Sequence, residues 1–247
     1  MSQDDRKEFE KQRLHNVKAL RGRDDLTELS LRWMQEVSEL RYSYNFSWMG
    51  LPIIQFPQDV VAMQELIWDI KPDLIIETGI ARGGSLVFYA SMLELLGGSG
   101  KVLGVDIDIR DHNRRAIEGH PMSARIEMLL GSAIDPEVIE RVRTHAARSS
   151  KVLVVLDSMH THEHVLAELR AYAPLVSVDS YIVVFDTVIE DMPEDFFPDR
   201  PWAVGDNPRT AVKEFLDEDS RFLADKDIDA KLMISVARGG FLKRIRA

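Results

Sequence analysis

No cysteine occurs anywhere in the 247 residues. That excludes disulfides, zinc–thiolate sites, iron–sulfur clusters and cysteine nucleophiles, and it is compatible with a reducing compartment. No apolar run approaches the roughly 18 residues a spanning helix needs, so no membrane span is expected. The opening segment MSQDDRKEFEKQRLHN is charged and lacks the apolar stretch of a secretory signal, so a cytoplasmic protein is expected. Positive charge is also in deficit. The 31 Lys and Arg against 41 Asp and Glu leave a net charge of −10, which argues against a nucleic-acid partner or an anionic lipid surface. What is present is an ordinary globular composition, 45% hydrophobic, of a length suited to one large domain with appendages.

The first 48 residues contain no proline and a single glycine, Gly22. Leu26, Leu29, Leu31, Met34, Val37 and Leu40 recur at helical spacing, and Asp24 or Asp25 is the expected N-cap. This region reads as a helical arm of one or two helices, packed on the main domain or on another subunit, so a homo-oligomer is expected. Residues 46–58 form a loop-like stretch rich in aromatic and apolar groups, followed by a helix that ends at Lys71-Pro72.

From Asp73 onward short apolar runs alternate with helical patterns. DLIIET, KVLGVDID, RIEMLLGSA, KVLVVLDS and SYIVVFDT read as five strands. Such runs predict a doubly wound α/β fold, a mostly parallel sheet covered on both faces. The acidic, proline-rich stretch 188–208 is too long for an ordinary connection and is expected to be functional or disordered. RTAVKEFLDED reads as a helix. KLMISVA and GGFLKRIRA read as closing strands, a hairpin across Arg238, Gly239 and Gly240 that adds a C-terminal antiparallel strand.

In open α/β sheets ligands sit beyond the carboxyl ends of the strands. The strand ends here are Glu77, Asp106, Ser132, Asp157 and Asp186, four of the five being carboxylates. The first turn, IETGIARGGS, carries Gly79, Gly83 and Gly84. It is neither GxGxxG nor a P-loop. A glycine turn followed by a helix N-terminus still presents free N–H groups to a carboxylate or phosphate. Asp106 is placed to accept two bonds from a ribose diol, whereas Asp108 reads as a turn or N-cap residue. Ser132 either bonds a base or caps the helix beginning at Pro136. Asp157 and Asp186 can share a divalent ion, and oxygen ligation favours Mg²⁺, Ca²⁺ or Mn²⁺. HTHEH allows a zinc pair of His160 and His164, although His164 is expected to face solvent. Trp48, Phe56, Phe196, Phe197 and Trp202 are candidates for an acceptor pocket or for local packing. Glu190, Asp191, Glu194 and Asp195 read as a solvated face, with Asp191 a minor candidate metal ligand.

Glu77, Gly79, Gly83 and Ser85 fall at the spacing E-x-G-x-x-x-G-x-S, which resembles catechol-type O-methyltransferases among the class I S-adenosylmethionine-dependent enzymes. A closer similarity is to the cephalosporin hydroxylase/rhamnosyl O-methyltransferase family, over roughly residues 45–245. PQD (57–59), ETGIARGGS (77–85), GVDIDIR (104–110), LDSMHTHEHVLAEL (156–169), GDNP (205–208) and GGFLKR (239–244) carry it. The resemblance implies a Rossmann-like domain at 49–247 behind the arm at 1–48. It implies that Glu77, Gly79, Gly83 and Ser85 hold the methionine part of S-adenosylmethionine, with Asp106, Ser132 and Asp157 completing the cofactor site.

The resemblance also implies a Mg²⁺ or related ion on Asp157 and Asp186. Thr187 stands where the relatives carry an amide ligand. His160 stands where catechol-type enzymes carry a lysine base. An imidazole with a reference pKa of about 6.5 can accept a hydroxyl proton at neutral pH. The implied activity is O-methylation of a hydroxyl on a sugar, glycolipid, polysaccharide or natural product. Two alternatives are an iron-dependent hydroxylase built on HTHEH and a nucleoside-binding partner subunit without catalysis.

Overall fold

The computed structural model describes residues 3–247. Two helices open the chain, α1 (Gln3–Arg21) and α2 (Asp24–Glu39). Arg23, not Asp24 or Asp25, occupies the N-cap of α2. The two aspartates lie in the first turn instead, where negative charge meets the positive end of the helix dipole. Leu31, Met34 and Val37 turn toward Phe56, Val188 and Met192, and Met34 is buried among them. Leu29 and Leu40 stay exposed, so the apolar stripe is narrower than its spacing suggested. The strands β1 (Ser47–Trp48) and β2 (Leu51–Pro52) form a small hairpin. Met49 and Gly50 turn it with φ of 46° and 93°, the double positive φ that matches strand twist in a two-residue turn. Helix α3 (Pro57–Ile70) follows and stops at Lys71, whose φ is 53°, ahead of Pro72.

The main sheet is assembled from β3 (Leu74–Thr78), β4 (Lys101–Asp106), β5 (Ile126–Leu130), β6 (Val152–Leu156) and β7 (Tyr181–Val184). The helices between them are α4 (Gly84–Leu96), α5 (Asp111–Glu118), α6 (Pro136–Ala146) and α7 (His162–Tyr172). The chain closes with α8 (Pro208–Glu218), β8 (Phe222–Ala224), α9 (Lys226–Leu232) and β9 (Phe241–Arg244). The strand order is β5-β4-β3-β6-β7-β9-β8. The first five strands are parallel, and β9 runs antiparallel to both β7 and β8.

Period-two alternation sorts the core into two layers. Ile76, Val105, Val154 and Val184 meet α6, α7 and α8 on one face. Ile75, Val102, Leu153 and Val183 meet α3, α4 and α5 on the other. Helix α1 packs along α9, and Arg21 pairs with Asp227 there. The arm therefore lies on its own main domain. No helix among the described residues is long and apolar enough to cross a membrane.

One expectation needs correction. KLMISVA is not a strand, and the closing hairpin does not turn at Arg238–Gly240. Part of it is the end of α9, and the remainder, 233–240, is irregular. Its backbone groups are committed elsewhere, to the side chains of Asp59 and Thr187. The antiparallel partner of β9 on the outer side is β8, which pairs Phe222 with Arg244.

Candidate active site

The chain leaves β3 toward β4 on one side and reaches β6 on the other. That is the switch point of a doubly wound sheet, and a crevice opens beyond the carboxyl ends of its strands. The glycine-rich turn enters this crevice from β3. Gly79 has a φ of 90°, and a Cβ there would stand 2.0 Å from the carbonyl oxygen of Asp157. A Cβ on Gly84 would stand 2.2 Å from the Pro52 carbonyl. These glycines are thus demanded by chain running against chain, in addition to any ligand. Ala81 adopts a φ of 46° without being glycine, backbone strain of the kind that concentrates at functional sites.

The residues expected to hold a cofactor divide into struts and lining. Gly79, Gly83, Ser85 and Asp157 line one small cleft together with Gln55 and Arg82. Glu77 is fully buried beneath it and accepts a 2.8 Å bond from the Ser85 hydroxyl. Burial pushes its carboxyl up to about 8, against the opposing pull of the Ser85 bond, so it is protonated at neutral pH. Asp106 braces the turn by accepting from the backbone N–H groups of Ile80 at 2.7 Å, Ala81 at 3.3 Å and Asp108 at 2.9 Å. Asp108 is an exposed turn residue paired with Arg110. Ser132 is half-buried at the end of β5. It is not the cap of α6, since Asp135 takes that role by accepting from Glu137 N–H.

Gln55 gave no signal beyond being polar within the apolar stretch PIIQFP. It is 3% exposed. Tyr89, also buried, has its hydroxyl facing both Gln55 and Glu77.

Asp157, His160 and Asp186 converge at the ends of β6 and β7. Each offers one ligand atom, and these atoms lie within 4.8 Å of one another. His160 Nε2 is 3.0 Å from Asp186 Oδ2. Asp186 itself has a φ of 56°. The Asp157 carboxyl is pushed well up, first by burial and next by the charge of Asp186 facing it. Thr187, expected as a third ligand, is not turned to this cluster. Its side chain is buried, and its hydroxyl donates to the carbonyls of Arg238 at 2.8 Å and Val236 at 3.2 Å. His160 stands in the third position instead.

The three imidazoles of HTHEH point to three different partners, which removes a His160–His164 zinc pair. His162 contacts Thr210 at 2.8 Å and Glu214 at 3.2 Å. His164 faces inward, not to solvent as expected, with Nε2 3.2 Å from Ser158 Oγ. Ser158 donates in turn to the fully buried Glu168 at 2.7 Å. Asp191 is not part of the cluster, because it pairs with Arg209 at 2.8 Å and Arg238 at 3.4 Å. Among the five candidate aromatics only Trp202 reaches the site, its ring edge-on to His160 at 4.6 Å between centroids. Trp48 packs on Phe88, and Phe56, Phe196 and Phe197 join the cluster beneath α2.

Comparison with known proteins places the chain in a family. The family model described as Rhamnosyl O-methyltransferase/CmcI matches residues 40–245. A rhamnosyl O-methyltransferase of Mycobacterium tuberculosis is 30% identical over 203 residues, 80% of this chain and 78% of that protein. One from Mycobacterium leprae is 32% identical over 147 residues, covering 60% and 62%. Two solved structures of CmcI share the fold. The apo form superposes with a TM-score of 0.59 at 19% identity, over 83% of this chain and 78% of that one. A form with Mg and SAM superposes with a TM-score of 0.58 at 18% identity, over 82% and 78%. A switch-point cleft with a glycine turn, two facing aspartates and a histidine, matched across most of the chain by this family, leads to one assignment: the chain belongs to the rhamnosyl O-methyltransferase/CmcI family.

Proposed function

We propose that this protein is an S-adenosylmethionine-dependent, divalent-cation-assisted O-methyltransferase acting on a hydroxyl of a sugar, glycolipid, polysaccharide or natural product. The single observation that carries the reading is the Asp157–His160–Asp186 cluster beside the glycine-rich turn.

Both implied groups pass a test of fit. Two carboxylates confront one another in the cluster, and the pressure on Asp157 is what a bound cation relieves. Two facing carboxylates suit Mg²⁺ or Mn²⁺, with His160 left beside them as the base. The cleft beside Gly79–Ser85 brings the buried amide of Gln55 next to Arg82 and the N-terminus of α4. A zwitterionic amino-acid end completes such a set. Gly79, Gly83, Ser85 and Gln55 would hold that end, Asp106 the ribose and Ser132 the base side, with Asp157 closing the cleft.

S-adenosylmethionine supplies an electrophilic methyl group, and a cation on Asp157 and Asp186 supplies charge that lowers the acceptor hydroxyl's pKa. The remaining work falls to side chains of this chain. His160 takes up the hydroxyl proton. The imidazolium so formed is steadied by Asp186, whose Oδ2 lies 3.0 Å from Nε2. Trp202 packs edge-on against the imidazole and limits its rotation. The strand ends of β6 and β7 fix the groups relative to the cleft, so the contribution is mostly positioning and electrostatics.

Calorimetry with S-adenosylmethionine, with and without Mg²⁺, tests the reading. Binding of the cofactor is expected, and binding in neither condition refutes it. The inward turn of His164 and the pairing of His162 with α8 take two histidines away from a facial iron site, which disfavours the hydroxylase alternative. A homo-oligomeric, cytoplasmic enzyme completes the proposal, and the absence of cysteine is compatible with a reducing compartment. Light scattering and fractionation check these two points.

A further inference from the structure

Thr187 follows Asp186, and its environment is unusually well defined. Its hydroxyl donates to the Arg238 carbonyl at 2.8 Å and reaches the Val236 carbonyl at 3.2 Å. The N–H of Val188 donates to the same Val236 carbonyl at 3.1 Å. The accepting groups belong to an irregular turn, 235–240, closed by Gly240 N–H on the Ala237 carbonyl at 2.8 Å. That turn is pressed against the end of β7. A Cβ on Gly240 would stand 2.1 Å from the Val184 carbonyl and 3.1 Å from Thr187 Cγ2.

The far side of the turn is anchored by a carboxylate with no cation beside it. Asp59, in the first turn of α3, is fully buried. It accepts from the Ser235 hydroxyl at 2.6 Å and from Val236 N–H at 3.1 Å. Ser235 Oγ in turn accepts from Ala237 N–H at 2.9 Å. Val236 is therefore gripped at both ends of its peptide, its N–H by Asp59 and its carbonyl by residues 187 and 188. The residue this grip immobilises is Asp186, which sits in the left-handed region with a φ of 56°. A non-glycine residue holds that conformation only where its surroundings over-determine it. A buried polar group that serves no core purpose and ends one step from a ligand residue fits the second layer that orients metal-binding side chains.

We propose that Thr187 is a positioning residue. Its hydroxyl ties the residue after Asp186 to the 235–240 turn, buried Asp59 anchors that turn from the opposite side, and the clamp fixes the Asp186 carboxylate for the cation. The proposal rests on the reading of Asp157 and Asp186 as cation ligands. It also accounts for a threonine whose hydroxyl is spent on backbone carbonyls: the side chain acts on the ligand before it and makes no ligand itself.

The test titrates the full-length protein with Mn²⁺ alone, followed by water-proton relaxation, and separately with S-adenosylmethionine without metal. T187V keeps the shape and loses the hydroxyl, and T187S keeps the hydroxyl. The expectation is that T187V weakens Mn²⁺ binding about 10-fold, that T187S restores it, and that cofactor affinity without metal changes less than about twofold in both. S235A, which contacts no ligand group and carries no charge, shifts Mn²⁺ affinity the same way, with thermal unfolding confirming that it is folded. Wild-type Mn²⁺ affinity in T187V overturns the proposal. So does wild-type affinity in S235A beside a weakened T187V, since that pattern marks a direct Thr187 ligand. If the wild-type protein binds no Mn²⁺, the cation reading itself fails and the clamp falls with it.

Discussion

Glu77 offers a prediction whose sign and size follow from the structure. Its carboxyl is fully buried and held up to about 8 from an ordinary 4.5, chiefly by the cost of burying charge. The folded chain therefore keeps this proton longer than the unfolded chain does. The group's stabilising contribution is complete below about 4.5 and is lost as the pH rises toward 8. Between pH 5 and pH 7 the unfolded carboxyl ionises almost fully while the folded one does not. The difference comes to roughly 2–3 kcal/mol at about 1.4 kcal/mol per unit of pH. That is a large fraction of the roughly 5–15 kcal/mol that holds a domain folded.

E77Q replaces a neutral acid with a neutral amide of the same shape and keeps an acceptor for the Ser85 hydroxyl. Urea unfolding of both proteins at pH 5, 6, 7 and 8 should show the wild type losing stability relative to E77Q across the series. Asp59, whose carboxyl burial raises to about 7, titrates in both proteins and cancels from the comparison. Parallel curves would falsify the claim that Glu77 is neutral in the folded protein at pH 7.

Three further outcomes are expected. D157A should abolish Mg²⁺ binding in calorimetry while leaving the chain folded, because it removes one of two facing carboxylates; unchanged Mg²⁺ affinity would count against the site. W202A should lower kcat or raise acceptor KM by roughly tenfold, a loss of order 1.4 kcal/mol, with S-adenosylmethionine affinity unaltered and W202F close to wild type, since the ring touches His160 and not the glycine turn. G79A should destabilise the protein by about 3 kcal/mol in thermal unfolding, because its Cβ would stand 2.0 Å from the Asp157 carbonyl at a φ of 90°; a stable, cofactor-binding G79A would contradict the packing described.

The parallel strands were legible because each is short, apolar and followed by a helical pattern, and all five appear with those bounds to within three residues. The strand-end carboxylates were legible for the same reason, since topology alone carries residues after parallel strands to one edge. What stayed hidden was decided by single long-range bonds. KLMISVA alternates like a strand, yet Asp59, about 177 positions away in sequence, takes the Val236 N–H that a ladder would need. His164 has helical spacing that places it near solvent, but Ser158 and Glu168 draw it inward. Gln55 carries no periodic signal, because its role comes from a strap passing over the Gly84 turn.

The four strand-end carboxylates differ in what each still requires, and the ranking supports the proposed cation site without reference to any relative. Glu77 is protonated and bonded to Ser85, so it needs no positive partner. Asp106 accepts from three backbone N–H groups that already face its two oxygens. Its remaining lone pairs suit neutral hydroxyls. Asp157 and Asp186 differ from both. They face one another across the crevice, one driven up by burial and by the other's charge, and neither is paired with a lysine or arginine. His160 satisfies one Asp186 oxygen and offers nothing comparable to Asp157. Two like charges at close quarters in a half-buried crevice are tolerated only if one takes a proton or both share a cation. The first option leaves His160 as base with no positive charge beside the acceptor hydroxyl. The second adds that charge next to the cleft, and under the proposed function the pair at the ends of β6 and β7, and not the other two carboxylates, is the reacting end of the crevice.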